Sequence, residues 1–276
     1  MHTLHMISKT ALGAFLMTTA MMVQAATVAY YRFESHHAGS LAQKEGSIVD
    51  SSGNGLDGSP FDQPVYKRVQ GVPDSRRALA FNGDTSRIAV PDSPLLALTH
   101  GLTLEAYVFS RSQGEGWAYI VFRGDDRSGM DPYFLNTMTG HLAFRITDAS
   151  GAVSDVRDPD PLPLETWLHV AGSLDDATGT QSLYVNGTLV ATQHTDLRPF
   201  GPLEANAKPG VGIGNTQSEG WHQGWHGKID EVRISDVALA PGDMLPQPLD
   251  GGDMPSPPWT RRSARIDTLN TKDPAP

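Results

Sequence analysis

Apolar residues recur at every second position in a series of short runs along the chain: 27–33, 78–82, 87–90, 102–109, 119–123, 141–147, 167–174, 181–185 and 228–234. Two-residue alternation puts one face of a strand on a core and the other toward solvent, and strands of this length punctuated by turns predict a β-sandwich. The 28 glycines and 20 prolines fall mainly between these runs, where left-handed backbone and fixed turns are wanted. No amphipathic helix of any length is visible. Asn186-Gly187 separates two strand-forming stretches, Ser182–Val185 and Leu189–Ala191, and is the dipeptide that a two-residue type I′ turn requires. A hairpin at a sheet edge or rim is therefore expected, and the turn accounts for the Asn-Gly-Thr glycosylation sequon without glycosylation. In 228–234 the apolar positions cannot all share one face of a regular strand, because Ile229 and Asp230 face oppositely, so that strand has to bend.

At 276 residues, 39% hydrophobic and 19% charged, the chain suits one large sandwich. A net charge of −10 argues against nucleic acid and anionic lipid as partners. Lys9 and the amino terminus precede an apolar run, 11–23, followed by Val23-Gln24-Ala25. This pattern predicts a signal peptide over 1–25, cleaved after Ala25, with Ala26 as the fallback; the run is shorter than a membrane span needs and carries Thr18 and Thr19. A secreted or periplasmic protein without stable membrane insertion is expected. Cysteine is absent, which removes disulfides and a lipid-modified cysteine from consideration. The folded domain is expected over 26–240. Residues 241–276, rich in proline and polar residues around Thr260-Arg261-Arg262-Ser263, read as a disordered tail or an envelope tether.

Several segments, in order, resemble the laminin-G-like family of secreted bacterial proteins, on a concanavalin A-like jelly roll. They are Tyr30-Tyr31-Arg32-Phe33; Asp50-Ser51-Ser52-Gly53-Asn54-Gly55-Leu56-Asp57-Gly58; Ala78 to Asp84; Leu102 to Val108; Trp167-Leu168-His169-Val170-Ala171-Gly172 leading into Leu183 to Gly187; and Gly227-Lys228-Ile229-Asp230-Glu231-Val232-Arg233-Ile234. The resemblance spans about residues 28–240. It implies an all-β fold of two antiparallel sheets packed face to face, with the first and last strands adjacent.

The same architecture carries glucanases whose hydrolysis needs paired carboxylates on one strand. No glutamate in this chain is followed two places later by aspartate, so a non-catalytic recognition domain is expected, binding carbohydrate or a surface partner. A divergent hydrolase, using a pair such as Glu105 and Asp125, and a structural envelope protein are the alternatives. There is no Gly-x-Ser-x-Gly elbow and no His-Glu-x-x-His helix, and the glycines of 210–214 suit a strand better than a dinucleotide loop. His222 and His226 stand four apart, but Gly220, Gly224 and Gly227 disfavour the helix that would face both at zinc. Trp225 is assigned to the core. Trp221, with His222 and Trp117, supplies the ligand-facing candidates, since aromatic faces take the apolar face of a sugar; a rim residue packing on its neighbours is the other reading of Trp221. Calcium is the expected cofactor, because hard cations take carboxylates and carbonyls from glycine-rich loops. Asp50 and Asn54 either hold it or form a local Asx-turn. The resemblance also implies a structural calcium bridging the first and last strands, which maps onto Asp230 with Glu34 and the Gly83 or Asp84 loop.

Overall fold

The computed structural model describes residues 27–220 and 222–249. The expected signal peptide, Trp221 and residues 250–276 lie outside them. Fifteen strands are present among the described residues. The first seven are β1 (Thr27–Tyr31), β2 (Ser59–Phe61), β3 (Val65–Arg68), β4 (Arg77–Asn82), β5 (Arg87–Pro91), β6 (Leu102–Ser110) and β7 (Trp117–Gly124). They are followed by β8 (Tyr133–Met138), β9 (His141–Thr147), β10 (Val153–Pro161), β11 (Trp167–Asp175) and β12 (Thr180–Val185). The last are β13 (Thr188–His194), β14 (Gly210–Ile213) and β15 (His226–Ser235). The one helical element is a single 3-10 turn, Pro94–Leu96, capped by the Ser93 hydroxyl on the Leu95 N–H.

The strands form two antiparallel sheets. One has the order β13-β12-β11-β6-β15-β4-β3 with β1 alongside β15; the other runs β10-β9-β8-β7-β14-β5-β2. The first and last strands are therefore adjacent, as expected. Alternating side chains of both sheets, among them Leu102, Leu104, Val108, Leu135, Phe144, Val170, Leu183, Ile213 and Ile229, fill one shared core, and Trp225 is buried with them. The Asn186-Gly187 turn has both residues at positive φ, 49° and 69°, the type I′ geometry, and β13 is an edge strand.

Two bulges decide which side chains reach which face. In β15 the pairing with β6 slips between Asp230 and Arg233, and Glu231 takes φ 47°. A bulge inserts one residue, so strict alternation is broken once. Ile229, Val232 and Ile234 can then all join the core, while Asp230 and Glu231 both turn outward; this is the bend the sequence requires. In β7 the pairing with β8 slips between Tyr119 and Val121. Ile120 and Val121 both enter the core, and Tyr119 and Phe122 emerge together on the outer face with Phe134.

The ordered chain continues past the expected boundary at residue 240. Met244 is buried against Ala171 and Leu239, the Leu245 N–H donates to Glu105 Oε2 at 2.8 Å, the Tyr107 hydroxyl donates to the Pro246 carbonyl, and the Leu249 N–H donates to the Gly71 carbonyl at 2.7 Å. A proline-rich segment lacks the pattern of a strand, yet its apolar side chains and free carbonyls suffice to cover the outer face of the β6 sheet. Under this strap Glu105 accepts from His169 Nε2 at 2.8 Å and from Arg233 Nε at 2.6 Å.

Candidate functional site

The outer face of the β7 sheet carries a row of side chains set by register: Gly212 of β14 opposite Phe122 of β7, Phe122 opposite Phe134 of β8, Phe134 opposite Arg145 of β9, and Arg145 opposite Asp155 of β10. Tyr119, Phe122 and Phe134 pack edge-on or stacked, with centroids 4.9–5.9 Å apart. Trp117 leans on Phe134 at 5.4 Å and remains half-buried. These rings floor a cleft of about 240 Å³.

Two segments wall it. A Cβ at Gly212 would stand 2.3–2.6 Å from backbone atoms of Asn215, Thr216 and Gln217, so the absence of a side chain there lets 215–217 lie directly on the sheet. Gln217 is buried; its Nε2 donates to the Lys208 carbonyl at 3.0 Å, and its Oε1 has no partner. The other wall is the 125–131 loop. Asp125 accepts from the Arg127 N–H, from the Arg127 guanidinium at 2.7–3.0 Å, and from the Glu204 N–H at 2.9 Å. Burial pushes its carboxyl up, but these donors outweigh burial and hold it below the usual aspartate value. Arg145 lies 4.5 Å over the Trp117 ring and donates from Nη2 to Asp155 at 2.8 Å, leaving its buried Nε unpartnered.

Asp131 also lines the cleft. Its Oδ1 stands 2.6 Å from where a Cβ on Gly124 would be, so only glycine at 124 leaves it room. Burial, then Asp125, push its carboxyl up to about 7, against the smaller opposing effects of Arg145 and Arg127. A second hollow, lined by Gly114, Gly116, His222 and His226, meets the first at Trp117 and Gln223.

The residues expected from sequence are distributed differently. Trp117 is in the cleft. His222 is exposed at the second hollow and pairs with Asp84. Gly83 and Asp84 lie against this end of the sheet, where Gly83 N–H donates to the Trp225 carbonyl and a Cβ at Gly224 would meet Asp84 backbone. The Gly83 or Asp84 loop thus sits at the start of β15, with His226 paired to Asn82, and does not join Asp230 four residues further on. Asp230 and Glu34 do meet at the Ser75 hydroxyl, whose single proton has Asp230 Oδ2 at 2.6 Å as its shortest acceptor, with Glu34 Oε1 at 3.1 Å. The remaining lone pairs of Glu34 face the N–H groups of Arg76 and Arg77 and the Arg77 guanidinium, and Asp230 Oδ1 accepts from the Glu231 N–H.

Asp50 accepts from the N–H groups of Tyr30, Ser52 and Leu56 and from the Ser52 hydroxyl, and Asn54 donates to the Val28 carbonyl. This is the Asx-turn alternative in full. Protein donors occupy both oxygens of Asp50 and of Glu34, with Arg77 beside the latter, so neither fits calcium as folded; Asp230 has one donor on each oxygen, and burial outweighs them and pushes its carboxyl well above the usual range. Among the described residues no three His, Asp or Glu side chains group as a metal-ligand set. Glu105 and Asp125 are not brought together either: the first lies under the strap on one sheet, the second at the end of β7 on the other.

Solved structures of similar shape cover most of the chain. They include domain 4 of AbnA, an extracellular arabinanase of Geobacillus stearothermophilus, in complex with arabinotriose, with TM-score 0.56 and 20% identity over 79% of this chain and 96% of that one. The binding domain of Paraclostridial Mosquitocidal Protein 1 matches with TM-score 0.54 and 17% identity over 74% of this chain and 50% of that one. The botulinum neurotoxin serotype D ligand-binding domain in complex with N-acetylneuraminic acid matches with TM-score 0.52 and 14% identity over 79% and 49%. The chain thus spans about half the length of the two toxin domains, and at these identities the likeness establishes the fold alone. No curated protein sequence matches it. Residues 82–243, more than half of the chain, match the family described as the concanavalin A-like lectin/glucanases superfamily, and the two-sheet sandwich has the layout of that fold: the chain belongs to this superfamily.

Proposed function

We propose that this is an exported, non-catalytic recognition protein that binds a glycan in the aromatic-floored cleft of the β7 sheet. The observation that carries the reading is the company the rings keep. Beside the half-buried Trp117 stand a buried acceptor and a buried donor without partners, Gln217 Oε1 and Arg145 Nε. Leaving such atoms unpaired costs about 1–3 kcal/mol each, a cost that a ligand rich in hydroxyls removes, while a ring face takes the apolar face of a sugar. The arabinanase domain, which holds arabinotriose on the same fold, makes a saccharide the natural ligand class. A hydrolase needs a second free carboxylate, and Asp125 is held by Arg127 and two backbone N–H groups.

The test is a glycan-array screen of the mature protein beside its Trp117→Ala variant, with reducing-sugar release assayed on each hit. The expected result is binding without turnover, weakened ~10-fold, about 1.4 kcal/mol, in the variant. Turnover abolished by Asp131→Asn would instead establish the hydrolase. Binding indifferent to Trp117→Ala would remove the ligand from this cleft.

A further inference from the structure

We propose that Asp131 is the specificity-determining residue of this cleft: its carboxyl engages the hydroxyls of a neutral sugar, and on ionising it weakens that binding and turns anionic sugars away. This rests on the glycan reading of the cleft and adds the ligand class and its pH dependence.

The geometry singles Asp131 out. The charged and titratable groups around it are Asp125 and Arg127 on its own loop, Arg145 of β9 backed by Asp155 of β10, and Tyr119 of β7. Thr216, Gln217 and Gln223, on the facing segments, carry no charge. Each arginine is already committed to another carboxylate, Arg127 to Asp125 and Arg145 to Asp155. Asp131 makes no hydrogen bond or ion pair of its own among the described residues. Arg157 also reaches Asp155, at 3.3 Å, from the exposed end of that pair; with both cleft arginines held by other carboxylates, an ionised Asp131 has no cation of its own on the aromatic floor. Burial and Asp125 make the neutral form the resting one up to about pH 7.

A sugar lowered onto the rings removes further water from Asp131. Desolvation disfavours the charged form, so the complex keeps the proton where the free protein would begin to lose it. As an acid the group offers one O–H donor and a carbonyl acceptor, a match for vicinal hydroxyls that also face Gln217 Oε1 and Arg145 Nε. By linkage, affinity is highest below pH 7 and falls about tenfold per pH unit above it. Once Asp131 ionises, a uronate or sialoside brings a second negative charge to the cleft and is repelled.

The experiment is titration calorimetry of the full-length chain with arabinotriose, cellotriose and laminaritriose, and with 3′-sialyllactose and trigalacturonic acid, at pH 5.5 and 8.5. It is run on wild type, Asp131→Asn and Trp117→Ala. At least one neutral trisaccharide should bind at pH 5.5 and about 30-fold more weakly at pH 8.5. The amide of Asp131→Asn should restore pH 8.5 binding to the pH 5.5 level, and the acidic sugars should not bind the wild type at pH 8.5. Equal wild-type affinity at both pH values, a pH effect that persists in Asp131→Asn, or a preference for the acidic sugars overturns the inference. In those cases loss of binding in Trp117→Ala shows that the glycan reading itself survives. If none of the five sugars binds at either pH, both readings fall.

Discussion

Single side chains in this protein are decided by how their hydrogen bonds are completed. Glu105 lies fully buried in β6, a strand whose alternation alone makes it a solvated residue. It is instead satisfied by His169, Arg233 and the Leu245 N–H, which outweigh the upward push of burial and hold its carboxyl below the usual range. Glu105→Gln leaves the half-buried Arg233 without its counter-charge, so unfolding in urea should show a loss of about 1–3 kcal/mol. Asp131 behaves in the opposite sense. Its folded value of about 7 exceeds the model-compound 3.8, so between about pH 4 and 7 the folded state holds the proton and the unfolded state does not. Stability from this group is complete below pH 4 and is lost as pH rises through 7. Asp131→Asn should therefore raise Tm at pH 8, by the equivalent of at most about 4 kcal/mol, and leave it unchanged at pH 4. A gain of the same size at both pH values would show that the charge is not the cause.

At the scale of elements, bulges and one close approach build the cleft. The slip in β7 delivers Tyr119 and Phe122 to one face, and β14 is bare enough at Gly212 for 215–217 to lie on it. A methyl there meets backbone that cannot rotate away. Gly212→Ala should cost about 1–3 kcal/mol by overpacking and displace Gln217, so denaturation and sugar titration should both register it; a loss of stability with unaltered binding would show that 215–217 is not part of the site. The glycines of 210–214 were legible as a strand, but their reason was not, because nothing in the pattern shows that the chain folds back after Gly214 to lay 215–217 on Gly212. β8 and β10 carry no turn-bounded alternation strong enough to be read: β8 is buried on both faces beneath Arg145 and Trp117, and β10 is an edge strand ending in Pro159 and Pro161.

Across the whole molecule the cation question becomes a stability measurement. With the oxygens of Asp50 and Glu34 committed within the protein, Tm should be the same in calcium and in excess chelator, whereas a ligand held at a hundred times its Kd adds about 2.7 kcal/mol. A chelator-induced fall of several degrees would return calcium to the β1–β15 junction. The strap gives a second global test. Ending the chain after Ala240 should lower Tm relative to ending it after Leu249, because Glu105 and Tyr107 lose the Leu245 N–H and the Pro246 carbonyl.

The sequence by itself determined the class of fold, most of its strands and the Asn186-Gly187 hairpin, because period-two patterning and turn chemistry are local; the adjacency of the first and last strands and the burial of Trp225 came from the resemblance to the laminin-G-like family. The sequence also placed Trp117 among the ligand-facing residues. Only the tertiary structure decided that Trp117 lines one cleft with Tyr119, Phe122, Phe134, Arg145, Gln217 and Asp131, and that the oxygens of Asp50 and Glu34 already hold protein donors. A residue's partners across a sheet, and the charge it carries there, follow from strand order, bulges and the water that packing excludes, none of which is written in its neighbours along the chain.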